Sequence, residues 1–312
     1  MSDPVTPPME QQRCGFVAIV GAPNAGKSTL LNRLVGSKIS IVSPKVQTTR
    51  NRVLGVVIEG DAQIIFIDTP GIFAPRRRLD RAMVKAAWRG VSDADLTLQL
   101  VDAQRHEMDE DTRRIIDGLK GGALQGEGCK ALLALNKIDL IKRERLLELA
   151  RLYDAEGIFS DIFMISAEKG DGVDHLVTAL ASRMPAGPWH FPADQISDVP
   201  LRLLAAEVTR EHLFRQVHDE LPYELTVENE SWKDFNDGSV RIEQAIYIGR
   251  ETHKPILLGE GGRRIKSVRV AAQKELEQIL ERKVHLFLQV KVKSGWGDDP
   301  ARYRAIGLEF EK

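Results

Sequence analysis

The sequence predicts a doubly wound, mostly parallel α/β domain followed by a smaller α+β domain. Three observations carry that expectation. From Cys14 to about Met184, short apolar runs alternate with amphipathic stretches, the pattern of βα units wound on one sheet. The first of these runs meets a Gly-rich loop at Gly21. The pattern then breaks at Met184–Pro200, MPAGPWHFPADQISDVP, which holds four prolines. A chain of 312 residues suits two domains at roughly 100–200 residues each.

Residues 1–12, with three prolines, read as a disordered tail. Residues 13–184 form the first domain. Its runs Gly15–Val20, Ile64–Ile67, Leu96–Val101, Ala131–Leu135 and Ile162–Ile165 are nearly continuous in Val, Ile, Leu and Ala, as strands buried on both faces are. Arg81–Arg89, Asp109–Leu119, Arg143–Tyr153 and Val173–Arg183 carry helical periodicity. Val53–Ile58 is separated from Ile64 only by the turn Glu59–Ala62. That is too short for a crossover helix, so the two strands pair antiparallel. Gly118–Gly128 holds five glycines and reads as a surface loop.

Residues 185–200 read as a Pro-rich linker, and 201–312 as the second domain. Leu201–Val217 is helix-like. Tyr223, Leu225 and Val227 alternate with polar residues, as does Ser239–Ile248. A turn at Gly259–Gly262, a helix over Ile265–Leu280 and a strand over Val284–Val292 complete it.

Composition excludes several classes. Hydrophobic residues are 43% and charged residues 29%, ordinary globular usage. Lys+Arg is 44 and Asp+Glu is 45, so a basic patch must be local. The two cysteines, Cys14 and Cys129, have neither disulfide-framework nor zinc spacing, which fits a reducing cytoplasm. No apolar run approaches the ~20 residues of a membrane span, and the first residues lack the apolar core of a signal peptide.

Gly21-Ala22-Pro23-Asn24-Ala25-Gly26-Lys27-Ser28, followed by Thr29, fits G-x-x-x-x-G-K-[ST] between a predicted strand and a predicted helix. Such a loop turns backbone N–H groups onto phosphate oxygens. Lys27 reaches the β- and γ-phosphates, and the Ser28 hydroxyl holds Mg²⁺. Ile64–Ile67 leads into Asp68-Thr69-Pro70-Gly71, a switch sensing Mg²⁺ and the γ-phosphate. Ala131–Leu135 leads into Asn136-Lys137-Ile138-Asp139. The Asp139 carboxylate matches the N1–H and exocyclic amine of guanine, a donor pair that adenine lacks. Ile162–Ile165 leads into Ser166-Ala167, placed to close the base pocket through a backbone N–H. Each motif lies at the C-terminal end of a strand, where open α/β sheets bind ligands. The bland alternative for Asp139 is a turn or helix-cap residue.

At these residues the chain resembles the translation-factor-related GTPases. The resemblance implies that a Thr of Pro44-Lys45-Val46-Gln47-Thr48-Thr49-Arg50 completes Mg²⁺ coordination, Thr49 before Thr48, beside Ser28 and Asp68. Ile72 stands where small signalling GTPases carry a water-orienting glutamine, and an alkyl chain cannot take that role. Gly-x-Pro-Asn-Ala-Gly-Lys-Ser resembles relatives in which the loop Asn binds K⁺, placing Asn24 with Lys27 and Gly71 as catalytic residues. The alternative for Asn24 is a turn residue that tolerates positive φ.

In the second domain Gly259-Glu260-Gly261-Gly262 precedes a helix that begins Arg263-Arg264-Ile265-Lys266. Two glycines let a turn approach a nucleic-acid backbone without a Cβ in the way, which is the GXXG clamp of KH domains. From Arg250 to Lys293 there are eleven Lys or Arg against five Asp or Glu, +6 in a chain of net −1. The alternative is a solvated basic helix start.

With QTTR, NKID and Val290–Trp296 (VKVKSGW), the two halves together resemble the Era family of bacterial GTPases over about residues 13 to 310. The resemblance implies a GTP-hydrolysing switch that takes GTP and GDP with Mg²⁺. It implies binding to the 3′ end of small-subunit ribosomal RNA and a part in small-subunit maturation. It also implies a cytoplasmic place with peripheral inner-membrane contact, and the chain is expected to be a monomer. Glu260 departs from the family pattern, since a carboxylate facing phosphate weakens RNA binding. The rival reading is a GTP-sensing scaffold whose second domain binds protein.

Overall fold

The computed structural model describes residues 7–310 apart from 44, 46, 47, 51, 106, 125–130, 218–220, 222–224, 294–299, 301, 302 and 304–307. The first six residues of the expected tail, the end of the 118–128 loop, Cys129, Tyr223 and the 294–296 part of VKVKSGW lie outside the described residues. The described residues form two compact units. One holds those up to Ser40 and Thr49–Asp198; the other holds Ile41–Thr48 and Val199–Phe310.

The first unit is built on a six-stranded sheet in the order β2-β3-β1-β4-β5-β6. Its strands are β1 (Arg13–Val20), β2 (Val53–Glu59), β3 (Ala62–Asp68), β4 (Leu96–Asp102), β5 (Ala131–Asn136) and β6 (Phe159–Met164). β2 and β3 pair antiparallel, with Val53 opposite Asp68; the remaining pairs are parallel. β3 is buried at all seven positions, as its unbroken apolar run requires. The helices are α1 (Lys27–Val35), α2 (Arg78–Ser92), α3 (Glu110–Gly118), α4 (Arg143–Asp154) and α5 (Val173–Ala181). Ala87 and Val91 of α2, Ile115 and Ile116 of α3, and Leu146 and Leu149 of α4 form one core with Ala18, Val20, Leu133 and Leu135.

The Pro-rich segment departs from the linker expectation. Through Asp198 it belongs to the first unit. Gln63 of β3, fully buried, accepts the amides of His190 (2.8 Å) and Phe191 (3.0 Å) and donates to the Phe191 carbonyl (2.8 Å). On the edge strand β2, the Val56 amide donates to Ile196 and the Leu54 carbonyl accepts the Ser197 hydroxyl. An edge strand leaves a row of backbone groups unpaired, and this segment satisfies part of it.

The second unit places α6 (Leu201–Gln216), α7 (His253–Leu258) and α8 (Arg263–Leu280) with a three-stranded sheet of β7 (Leu225–Asp234), β8 (Val240–Ile248) and β9 (Val284–Val292). β7 and β8 are antiparallel, β8 and β9 parallel. Val208, Ile242, Ala272 and Leu286 share one core cluster, Phe214, Leu225, Ile246 and Val268 another. α7 has no counterpart among the elements expected from sequence. It spans only six residues, and Pro255 falls in its first turn, where a missing N–H costs nothing.

Candidate functional site

Local sequence dictates the loop between β1 and α1. Asn24 (φ 64°) and Gly26 (φ 101°) are left-handed. A Cβ on Gly21 would lie 2.5 Å from the Leu100 carbonyl oxygen, and one on Gly26 would lie 2.3 Å from the Asn136 amide nitrogen. Both positions therefore demand glycine. Gly71 packs against Pro23, and the Ile72 amide donates to the Gly21 carbonyl at 3.2 Å. Lys27 is 6% exposed and donates to the carbonyls of Gly21 (3.0 Å) and Ala22 (3.1 Å). Burial pushes its ammonium down to about 8, and the charge of Asp68 opposes that. An anion held in the loop would favour the charged ammonium.

Four oxygen groups meet beside Lys27. The Ser28 hydroxyl donates to Asp68 Oδ2 (2.8 Å) and lies 2.8 Å from the Thr49 hydroxyl; the Ser40 hydroxyl donates to the same Oδ2 at 3.1 Å. Asp68 is fully buried and its Oδ1 has no hydrogen-bond partner. Burial pushes this carboxyl up, while Lys27 and the hydroxyls of Ser28, Ser40 and Thr49 hold it down. An orphaned buried carboxylate oxygen among hydroxyls is a hard, oxygen-only donor set. It fits Mg²⁺ completed by phosphate and water. Thr49 is the threonine in this cluster; the Thr48 hydroxyl lies instead 2.7 Å from that of Ser43.

Asn136 ties the phosphate loop to the base loop. Its Nδ2 donates to the Ala25 carbonyl (2.8 Å), and its Oδ1 accepts the Ala167 amide (2.9 Å). Of the two backbone N–H groups expected to close the base pocket, that of Ala167 is engaged there and that of Ser166 donates to the Asp171 carbonyl at 2.9 Å. Lys137 takes φ 66° and its ammonium pairs with Asp102 at 2.6 Å. Asp139 stands in the short turn Ile138–Leu140. A hydrogen bond from Ser166 holds its carboxyl below the usual range, and the Lys169 ammonium 3.5 Å away adds to that. The charged form that guanine requires is the one this surrounding favours.

Two of the expected nucleotide residues, Thr69 and Ile72, can offer a ligand only their backbones. The Thr69 hydroxyl donates to the Ile19 carbonyl at 2.9 Å, and the Ile72 side chain is fully buried in the core. Both side chains are used by the fold, leaving only their backbones for a ligand. Sequence reasoning missed Ser40 and Asp102. Asp102 ends β4, a position that could have flagged it; Ser40 sits in no motif.

In the second unit Gly259 (φ 69°), Gly261 (φ 58°) and Gly262 (φ 77°) all lie at positive φ. A Cβ on Gly262 would meet nothing within 4 Å, so the turn presents an open backbone face. Glu260 pairs with Arg263 at 3.0 Å, the two side chains 86% and 78% exposed. Arg264 donates back to the Ile256 carbonyl, while Lys266 is exposed.

A family model for 50S ribosome-binding GTPases matches residues 16–137, and a KH-domain model matches residues 220–297. The chain is 55% identical over 300 residues to a GTPase Era of Afipia carboxidovorans, covering 96% of each chain. It is 56% identical over 301 residues to that of Sinorhizobium medicae, covering 96% and 95%. The chain belongs to the Era family of GTPases. A crystal structure of Era in complex with MgGDPNP and nucleotides 1506–1542 of 16S ribosomal RNA superposes with TM-score 0.87 at 39% identity, covering 95% of this chain and 99% of that one. The Era architecture of a mostly parallel GTPase sheet followed by a KH domain is thus the architecture of this chain. Among the described residues, no helix is long and apolar enough to cross a membrane.

Proposed function

We propose that this chain binds GTP with Mg²⁺ in its first domain, hydrolyses it, and binds the 3′ end of small-subunit ribosomal RNA through its second, in small-subunit maturation. One observation carries the reading: the motifs for phosphate, Mg²⁺ and guanine converge on the ends of β1, β3, β5 and β6, in a chain that also presents an open GXXG turn. The similar Era structure that holds both MgGDPNP and 16S RNA supports it.

In this reading Lys27 balances phosphate charge and the backbone of Gly21–Gly26 cradles the phosphates. Ser28, Thr49 and Asp68 hold Mg²⁺, which supplies charge neutralisation when bound. Asp139 accepts two hydrogen bonds from guanine. Gly259, Gly261 and Gly262 admit the RNA backbone, with Arg263 and Lys266 as its counter-charges. Asn24 takes K⁺ beside the phosphates. Its exposed, left-handed position supports either that role or a turn role, and hydrolysis separates them. The K⁺ role makes hydrolysis faster in K⁺ than in Na⁺ at equal ionic strength, and Asn24→Ala erases the difference. Equal rates leave Asn24 a turn residue.

The whole reading is tested by a crosslinking map of ribosomal RNA on the full chain, with and without a non-hydrolysable GTP analogue. Crosslinks at Gly259–Lys266 support it; their absence favours the protein-binding scaffold. A cytoplasmic monomer with peripheral membrane contact is read out by light scattering and by co-sedimentation with anionic vesicles.

A further inference from the structure

The start of the loop after α1 is fastened more firmly than its sequence suggests. Asn32, in the last turns of α1, accepts the backbone amides of Ile39 and Ser40, each at 2.9 Å. Its own amide donates to the Ser40 carbonyl at 2.7 Å. One side chain thus fixes the backbone of Ser40 on both sides. Ser40 is 4% exposed, and its hydroxyl, so aimed, lies 3.1 Å from Asp68 Oδ2.

We propose that Ser40, held by Asn32, is a positioning residue for the Mg²⁺ site: it fixes the rotation of the Asp68 carboxylate so that Oδ1 faces the metal position. The proposal rests on the reading of Ser28, Thr49 and Asp68 as the Mg²⁺ set. Asp68 is fully buried and has two oxygens. Oδ2 takes the hydroxyls of Ser28 and Ser40; Oδ1 takes nothing. A hydroxyl has one proton and two lone pairs, so Ser28 can meet the metal through a lone pair and still donate to Oδ2. Its position, like that of Thr49, is then set by the metal, so neither is a post for the carboxylate independent of loading. Ser40 is outside the metal set and is anchored from α1, independent of the metal. Its donated hydrogen bond therefore persists through loading, as outer partners of metal ligands do. The arrangement also gives Asp68 a link to the first residues of the segment that delivers Thr49.

The test measures Mg²⁺ affinity apart from turnover. Dissociation of a fluorescent GDP from the full chain is followed against free Mg²⁺, and again in excess EDTA. Ser40→Ala removes one hydroxyl without adding volume. It should raise the Mg²⁺ concentration at half effect about 10-fold, the lower end of the range for losing an outer partner. The EDTA rate should stay that of the parent. Ser40→Thr, which keeps a hydroxyl, should restore Mg²⁺ affinity, and Asn32→Ala should match Ser40→Ala. A merely structural role would move the EDTA rate as well. Ser28→Ala calibrates the reading underneath. If it leaves the Mg²⁺ dependence untouched, the metal set itself is wrong. If it shifts that dependence and Ser40→Ala does not, the proposal for Ser40 is overturned.

Discussion

Two regions of this molecule are read as phosphate-binding, and they are built on opposite principles. The loop after β1 is buried and interlocked: Lys27 is 6% exposed, and Asn136 bridges two loops with one side chain. The turn at Gly259–Gly262 is open: its pair Glu260–Arg263 is 86% and 78% exposed, and no side chain crowds Gly262. A buried preorganised site acts through fixed donors in a low dielectric, where each polar group carries a large desolvation stake. An exposed basic turn acts through screened charge and backbone access, where contacts are graded and salt-dependent. Changes at the first site should therefore alter selectivity abruptly and those at the second alter affinity in steps.

The largest effect should come from Asp139→Asn. The carboxylate is replaced by an amide that presents a donor to the guanine amine. Bonds to charged groups are worth about 1.5–3 kcal/mol each, so losing the pair should lower GTP affinity on the order of 100-fold or more. Xanthine carries a carbonyl in place of that amine, and the amide can donate to it. A competition titration with GTP and xanthosine triphosphate should show the preference reversed. Unchanged GTP preference removes Asp139 from the base site. RNA affinity in the absence of nucleotide should not move, which keeps the two regions separable.

At the second region Gly262→Asp should act in the other manner. The position is at φ 77°, which disfavours any side chain, and the new carboxylate projects from the open face. Losing one charge-assisted contact at roughly 1.5–3 kcal/mol predicts about a ten- to hundred-fold fall in RNA affinity. Guanine-nucleotide affinity in the absence of RNA should remain that of the parent. A filter-binding titration with single-stranded oligonucleotides from the ribosomal RNA 3′ end measures it. Parent-like binding would remove the GXXG turn from the RNA interface.

The same contrast decides what the sequence could tell. The strands of the first unit are legible because nearly every position of runs such as Ile64–Ile67 is buried, so hydrophobicity alone reports them. The antiparallel β2–β3 pair follows from turn length. The nucleotide motifs are legible because phosphate and guanine constrain residue type at fixed spacing. Ser40 and Asp102 are not, since each meets the site through a fold that spacing does not encode. The Pro-rich stretch misleads for a related reason. Its composition resembles a spacer, yet its backbone is held by Gln63, a single buried polar residue in an apolar run. α7 is invisible because six residues carry too little period, and a proline inside them suggests a break.

The smallest effect tests the screened end of the comparison. Glu260 neutralises Arg263 in the free chain through a largely exposed pair. Such surface pairs are worth about 0–1 kcal/mol, so breaking this one should leave the fold intact. Glu260→Gln keeps shape and polarity and removes one negative charge from the turn. Arg263 is then available to a phosphate without first leaving a carboxylate, and long-range repulsion of the RNA is reduced. RNA affinity should rise about two- to fivefold at low salt, the range of a surface pair converted to a binding ratio. The gain should shrink at high salt, where the exposed charges are screened over about a Debye length. The slope of log affinity against log salt should steepen by at most about 0.7, the value for one more neutralised phosphate on a single strand. Glu260→Lys should exceed Glu260→Gln in both quantities, because it adds a positive charge at the same place. Titrations at two salt concentrations resolve the pattern. Equal affinity of Glu260→Gln and parent at both would mean that Glu260 faces away from the RNA path, and Arg263 with it.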